Sequence, residues 1–434
     1  MVLWLMADRE LTVLFMPESA YGPTNNCIGI GDVLRRRGHR VVFAAEASWK
    51  GRLAPLGFEE ALVDLAPPPE EGGAEQDAGQ FWKDYIAEIS PQFRKTTSEQ
   101  LETVVKPIYE ELISGVRYAE PQLRRIIAEV RPDVVVEDNV VLFPALATAD
   151  APFVRMLSCN PLEMPGPDVP PPFSGLATGE RRAATAFHAE FERTHGAMWA
   201  DFNAYVQEQG APALPHMRFM PEGDLNLYLY PEVADYTDRR PLGDGWHRLD
   251  SSVRRTGGPA ELPDHIAKGE GSLIYFSLGS LGSADVDLMR RVIDVLGGTS
   301  HRYIVSKGPR HDEIELPPNM WGEEFLSQTE ILPLVDLVIT HGGNNTVTES
   351  FHFGKPMIVL PLFWDQYDNA QRVQELGFGL RMDAYGFRPD ELRAGVESLL
   401  GNVGLRRHLD EIGAAIRERE GVVRAADLIQ SAAR

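Results

Sequence analysis

The chain of 434 residues is longer than one hydrophobic core usually supports, so we expect two packed domains rather than a single small module. Acidic residues outnumber basic ones by 64 to 42, and the formal charge of −22 disfavours binding to nucleic acid and to anionic membranes. No apolar run reaches the roughly 18 residues that a membrane-spanning helix needs.

The beginning of the chain has no signal-peptide pattern. Two short apolar runs are split by Asp8, Arg9 and Glu10, and neither a basic segment nor a cleavage site accompanies them. We therefore expect a cytoplasmic protein. The two cysteines, Cys27 and Cys159, lie far apart in the sequence, which indicates neither a disulfide framework nor a thiolate metal site.

Short apolar runs alternate with longer helix-like stretches in the first half of the chain. The runs at 11–16, 40–45, 133–138 and 153–157 predict buried strands. Residues 26–37 between the first two predict a helix, because their apolar residues are helically spaced and three arginines and a glycine follow. A strand, a helix and a strand in this order predict a parallel sheet with right-handed crossovers.

The second half repeats this scheme. Its apolar runs at 272–279, 303–306, 336–340 and 356–361 predict a second parallel sheet. The intervening residues 231–265 are rich in Pro, Gly, Asp and Arg, as expected for an interdomain connection. We predict an α/β protein with two facing Rossmann-like, doubly wound domains and a ligand cleft between them.

Two further segments of the first half are candidates for a cavity wall and a lid. Residues 66–130 combine a Pro/Glu/Gly-rich start with scattered aromatic residues, and 160–175 form a proline-rich loop. Both patterns also suit ordinary core packing. We expect them to enclose a partly apolar small molecule. The aromatic residues concerned are Phe81, Trp82, Tyr85, Phe93 and Tyr109.

The most informative segment follows the strand at 336–340. His341 and two glycines lead into a helix, so unpaired backbone amides and the positive end of the helix dipole are expected to hold a phosphate there. Gly343 belongs to this turn, while Asn345, Thr346 and His341 offer side-chain donors.

Carboxylates in the same segment indicate sugar hydroxyls as partners. Glu349 lies one turn into the helix, where a diphosphate would repel it, whereas the two hydroxyls of a ribose would donate to it. Asp365 and Gln366 follow the next strand and suit the vicinal hydroxyls of a hexose. Together these residues predict a nucleotide-sugar site.

This segment resembles the UDP-sugar-dependent glycosyltransferases of GT-B fold, a family that includes plant secondary-metabolite and bacterial macrolide and antibiotic glycosyltransferases. The resemblance is carried by the His-Gly-Gly-x-Asn-Thr motif at 341–346 and by the residues that follow it at the family's spacing. These are Glu349, Gly354, Pro356, Pro361, Asp365, Gln366 and Asn369.

The resemblance implies a role for individual residues. The diphosphate would be held by His341, Asn345 and Thr346, the ribose by Glu349, and the transferred sugar by Asp365 and Gln366. Phe325 and Gln328 would frame the uracil, and Ser277, Gly279 and Ser280 would meet the diphosphate. A ribose contact at Glu349 favours UDP over deoxyribose TDP donors.

The resemblance also implies the domain organisation and a reaction without a metal. Residues 1–235 would form the acceptor-binding domain, 236–265 the connection, 266–415 the nucleotide-sugar-binding domain, and 416–434 a C-terminal helix that packs back on the first domain. No cofactor is expected besides the UDP-sugar co-substrate. Asp285-Val286-Asp287 imitates a metal-binding Asp-x-Asp motif, but its position before an apolar-periodic stretch favours helix capping.

The family pattern breaks at the catalytic base. The family uses a histidine after the first strand, oriented by an aspartate after a later strand. Tyr21 occupies the histidine's position, and no histidine precedes His39. Asp138 matches the aspartate and is the favoured base, Glu18 is the second candidate, and Tyr21 would orient the acceptor.

These observations predict an inverting glycosyltransferase that moves a hexose, preferably glucose, from UDP to a hydroxyl of a small natural product such as an antibiotic or nucleoside. A monomer and a homodimer both remain open. One alternative is a non-catalytic sugar-nucleotide-binding or partner-activating protein, motivated by the missing histidine. Another is a Rossmann oxidoreductase, suggested by Gly29, Gly31 and Glu46, although Leu34 replaces the third glycine.

Overall fold

A computed structural model describes residues 9–67, 88–164, 166–254 and 260–433. Its strands form two separate parallel sheets. The strands are β1 (Thr12–Pro17), β2 (Arg40–Phe43), β3 (Glu59–Glu60), β4 (Val134–Asp138), β5 (Phe153–Leu157), β6 (Leu225–Tyr228), β7 (Trp246–Arg248), β8 (Leu273–Ser277), β9 (Arg302–Ser306), β10 (Met320–Glu323), β11 (Leu337–Thr340), β12 (Met357–Val359) and β13 (Gly379–Arg381).

The eight strands expected from the apolar runs all occur. The first sheet has the order β3-β2-β1-β4-β5-β6-β7, and the second has the order β10-β9-β8-β11-β12-β13. The strand order reverses beside β1 in the first sheet and beside β8 in the second. A doubly wound sheet opens a crevice at the carboxyl ends of such neighbouring strands. The ends of β1 and β4 and those of β8 and β11 therefore mark the two halves of a binding cleft.

The sequence analysis missed the strands β3, β6, β7, β10 and β13. All five lie outside the central strands of their sheets, and β3 has only two residues. Short strands away from the centre need fewer consecutive apolar residues, so their periodicity is weak. Strand β7 lies within the segment predicted as the interdomain connection, and it pairs with β6 as the last strand of the first sheet.

Helices flank both sheets. Those of nine residues or more are α1 (Tyr21–Arg36), α2 (Lys106–Val130), α3 (Arg181–Glu208), α4 (Val286–Gly297), α5 (Asn344–His352), α6 (Gln366–Glu375), α7 (Pro389–Gly401), α8 (Val403–Glu418) and α9 (Gly421–Ala432). Helix α9 crosses to the first sheet and buries Ala425, Ala426 and Ile429 in the core formed with α1.

Helix α1 begins at Tyr21, five residues before the predicted start, and this expectation was wrong. Pro23 in the first turn caused the difference, because proline breaks a helix interior but fits its first turn. Gly29 and Gly31 lie inside α1 and are buried. They do not form the turn between strand and helix that a dinucleotide-binding glycine motif requires.

The two domains are joined by buried polar contacts. Asp368 of α6 accepts hydrogen bonds from the amides of Phe173 (2.6 Å) and Gly175 (2.8 Å) in the proline-rich loop. The same loop donates from the Asn160 amide to Asp365 at 2.8 Å. The proline-rich loop is thus fastened to the second domain. None of the described helices has the length and hydropathy that would allow it to cross a membrane.

Candidate active site

A cavity of about 590 Å³ lies between the carboxyl ends of the two sheets. It brings together every predicted site residue except Asp138. The predicted residues along its wall are Glu18, Tyr21, Ser277, Gly279, Ser280, Phe325, Gln328, His341, Gly343, Asn345, Thr346, Glu349, Asp365 and Gln366.

The turn between β11 and α5 places His341 at the cavity. Gly342 has a φ of 91°, and a β-carbon there would lie 2.6 Å from Val359, so this turn requires glycine. The imidazole fits closely against Gly279, where an added β-carbon would lie 2.6 Å from the ring. Burial lowers the pKa of His341 to about 4, so the ring is neutral at pH 7.

Helix α5 directs its amino terminus into the cavity, as predicted. Its N-cap residue is Gly343, which has no side chain to occupy the free amides of the first turn. The side chain of Asn345, a predicted diphosphate ligand, is already engaged: it accepts from Asn26 at 2.7 Å and donates to the carbonyl of Gly22 at 3.1 Å. The backbone amides of the turn are therefore the better placed anion donors.

Asn344 fastens the start of α5 to the first domain. Its side-chain nitrogen donates to the carbonyls of Ser158 (2.9 Å) and Leu229 (3.1 Å). Because α5 carries the anion-binding turn, these two bonds fix that turn relative to the strands β5 and β6.

Gln328 connects two other predicted donor residues. Its amide nitrogen donates to Glu349, and its oxygen accepts from the hydroxyl of Thr346 at 3.2 Å. Burial raises the pKa of Glu349, and the bond from Gln328 opposes that rise. Glu349 also faces the guanidinium of Arg254, whose Nη1 lies 4.0 Å from Oε1 of Glu349.

Tyr21 and Phe325 meet across the cleft. Their ring centroids lie 5.6 Å apart, and Tyr21 also packs on Trp49 at 5.3 Å. The hydroxyl of Tyr21 accepts from Arg52 at 2.6 Å. Phe325, which is expected beside the nucleobase, is therefore in direct contact with Tyr21, which is expected beside the acceptor.

The predicted sugar-binding pair lies at the start of α6. Asp365 lines the cavity while its Oδ2 accepts from the amide of Asn160, and burial raises its pKa to about 7. The side-chain oxygen of Gln366 accepts from the amides of Leu362 (3.0 Å) and Phe363 (3.3 Å). The side-chain nitrogen of Gln366 is the group available to a sugar hydroxyl.

The two candidate bases occupy different positions. Glu18 lines the cavity directly after β1, and burial together with the charge of Asp138 raises its pKa to about 7. Ser158 lines the cavity, and Asp138 lies behind it, where it accepts a hydrogen bond from the Ser158 hydroxyl at 2.5 Å. Burial raises the pKa of Asp138 to about 6. The Asp138 carboxylate thus does not line the cavity itself but contacts Ser158, which does.

Apolar side chains also line the cavity. Ile108 and Leu112 of α2 line it together with Val140 and Trp364. Of the aromatic residues expected in this wall, Phe93 and Tyr109 are buried in the cores instead, while Phe81, Trp82 and Tyr85 lie outside the described residues.

The structure adds site residues that the sequence analysis missed. Ser158 and Arg254 line the cavity, and Asn26 of α1 supports Ser158 by donating to its hydroxyl at 2.9 Å. Nothing in the local sequence marks these residues, since each depends on contacts between segments far apart in the chain.

Asp285 acts as predicted for a helix cap: its Oδ1 accepts from the amide of Leu288 at 3.1 Å at the start of α4. Within the described parts of the chain, no three His, Cys, Asp or Glu side chains are grouped as metal ligands.

Two facing parallel sheets with a shared cleft define a GT-B fold, and solved structures confirm it. The glycosyltransferase of kitacinnamycin superposes with a TM-score of 0.73 and 23% identity over 98% of this chain and 100% of that one. The glycosyltransferase VinC in complex with dTDP superposes with a TM-score of 0.65 and 19% identity over 98% and 99% of the two chains.

Sequence comparisons extend this similarity from the fold to the class of enzyme. Residues 290–419 match the erythromycin biosynthesis protein CIII-like C-terminal domain. The chain is 22% identical to the NDP-glycosyltransferase YjiC of Bacillus subtilis (strain 168), with 98% of each chain covered. The chain is thus a GT-B protein, and its relatives identify it as an enzyme of the glycosyltransferase class, similar to those of macrolide and antibiotic biosynthesis.

Proposed function

We propose that the enzyme transfers a hexose, preferably glucose, from UDP to a hydroxyl group of a small natural product, with inversion at the anomeric carbon. One observation carries this proposal: the cavity places a helix amino terminus without a side-chain cap, together with His341 and Glu349, on one wall and the carboxyl group of Glu18 on the other. A donor and an acceptor can meet between these walls.

The donor half suits a nucleoside diphosphate. The amides at the start of α5 and the neutral imidazole of His341 would donate to the phosphate oxygens. Glu349 would accept from the ribose hydroxyls in place of its present bond from Gln328. A deoxyribose offers one hydroxyl fewer, which favours UDP. The dTDP complex of VinC, which has the same fold, makes TDP-sugars the competing donors to test.

The acceptor half suits a molecule with an apolar body and a reacting hydroxyl. Ile108, Leu112, Val140 and Trp364 provide apolar surface for an antibiotic scaffold, which fits them better than a polar nucleoside does. Tyr21 lines the same cavity and would contact the acceptor with its ring, because its hydroxyl is bonded to Arg52.

Glu18 is the base that the geometry favours over Asp138. A base must reach the proton that it removes, and Glu18 lines the cavity, whereas Ser158 separates Asp138 from it. A pKa of about 7 gives Glu18 useful basicity at neutral pH. The hydroxyl proton would pass to Glu18, the acceptor oxygen would bond to the anomeric carbon, and UDP would leave with the electrons of the broken bond.

We propose that the reaction needs no metal ion. The charge of the departing diphosphate would be offset by the amino terminus of α5 and by hydrogen-bond donors along the donor wall.

The direct test is an acceptor screen. The enzyme is incubated with UDP-glucose or TDP-glucose and a set of apolar hydroxylated acceptors, and products are detected by mass spectrometry together with release of the nucleotide. We expect a product heavier than the acceptor by one hexosyl residue, that is, a hexose less one water, and a preference for UDP-glucose. Binding of UDP-glucose with no product across the set would favour a sugar-nucleotide-binding protein instead.

A further inference from the structure

Arg254 has no role in the site predicted from the sequence, yet it lines the donor side of the cavity. Its side chain is only 24% exposed, and its guanidinium faces Glu349. Neighbouring residues of the connection anchor it to both domains. Ser252 donates to the carbonyl of Asn26 in α1 at 3.0 Å, and the hydroxyl of Ser251 lies 2.9 Å from Nδ1 of His352 in α5.

The formal charges along the cavity make Arg254 unusual. Among the described residues that line it, three carry carboxyl groups, namely Glu18, Glu349 and Asp365, and Arg254 is the single arginine or lysine. Burial holds His341 in its neutral form at pH 7. A nucleoside diphosphate brings at least two further negative charges into this cavity.

A permanent cation between two such anions lowers their repulsion. Placing a diphosphate near the buried Glu349 carboxylate costs free energy, because both charges have lost solvent and repel each other. A guanidinium stays charged at every relevant pH, and its planar donors match phosphate oxygens. Arg254 meets both requirements and already lies beside Glu349.

We propose that Arg254 is the counter-cation of the donor diphosphate. The inference rests on the proposed function, since it assigns a ligand to the same donor site. Without donor the guanidinium offsets the charge of Glu349. With donor bound, Glu349 accepts from the ribose, and Arg254 donates to phosphate oxygens and stabilises the charge that grows on UDP as the glycosidic bond breaks.

A purely structural role for Arg254 makes a different prediction. If Arg254 only orients Glu349, its loss weakens the ribose contact, and uridine, UMP and UDP lose affinity by the same factor. If Arg254 binds the diphosphate, the loss grows with the number of phosphates. The three ligands share base and ribose, so their comparison separates the two roles.

The experiment measures binding of uridine, UMP and UDP by calorimetry to the wild-type protein and to Arg254→Gln, Arg254→Lys and Arg181→Gln. We expect Arg254→Gln to lower the affinity for UDP about 10- to 100-fold and to change the affinity for uridine by less than about twofold. Arg254→Lys retains the charge, so its affinity for UDP is expected to lie between those of the wild type and of Arg254→Gln. Arg181, 85% exposed and absent from the cavity wall, controls for the change in net charge.

Two results would overturn the inference. If Arg254→Gln lowers the affinity for the three ligands by equal factors, Arg254 only orients Glu349. If the affinity for UDP is unchanged, Arg254 has no role in donor binding. Melting temperatures of the variants exclude misfolding as the cause of a loss. If the wild-type protein binds no UDP, the proposed function fails as well. If the wild type binds UDP and Arg254→Gln binds it equally well, only the role assigned to Arg254 is refuted.

Discussion

Replacing Glu18 by Gln removes a proton acceptor while preserving the shape of the side chain. Glu18 lines the cavity, and its pKa of about 7 places about half of the enzyme in the basic form at that pH. A positioned base contributes about 10² to 10⁴ in rate. We therefore expect Glu18→Gln to lower kcat by at least about 100-fold, with little change in UDP affinity, since Glu18 lies on the wall opposite the donor.

The pH dependence of the wild-type enzyme provides the second part of this prediction. The base acts when deprotonated, so kcat/KM rises with pH, reaches half of its plateau at about pH 7 and levels off above about pH 8. At pH 6 about one tenth of the base is deprotonated, and kcat/KM should be about one tenth of its plateau value. Glu18→Gln should lack this rise.

The assay follows UDP release and product mass from pH 5 to 9 at saturating donor. Glu102→Gln is the matched control, because Glu102 is 56% exposed and does not line the cavity. Activity of Glu18→Gln within about threefold of the wild type would refute the assignment and return the base to Asp138 acting through Ser158.

Asp138→Asn should shift the rise of kcat/KM to lower pH, because the charge of Asp138 raises the pKa of Glu18; an unshifted profile would contradict this coupling. Glu349→Ala should lower the affinity for UDP more than that for TDP in calorimetry, and equal losses of affinity would contradict the ribose contact. Asn344→Ala removes two buried interdomain hydrogen bonds and should lower the free energy of unfolding by about 1–3 kcal/mol in urea titrations. Incubation with EDTA should leave turnover unchanged, and loss of activity restored by a divalent cation would refute transfer without a metal.

The central strands and the anion-binding turn were predictable because their signals are local. Consecutive apolar residues mark β1, β4, β8 and β11 regardless of what surrounds them, since buried parallel strands must be apolar on both faces. Gly342, next to His341, likewise marks a left-handed backbone conformation that favours glycine, and the sequence shows this residue directly.

The sequence by itself therefore determined the two sheets, the cleft between them and the position of the donor turn. Tertiary structure alone decided which carboxylate faces the cavity, that Asn345 bonds to α1, and that Arg254 reaches Glu349. These outcomes depend on contacts between segments up to 323 positions apart, such as Gly22 and Asn345. Periodicity reports whether a side chain is buried, whereas its partner is set by how the two domains pack.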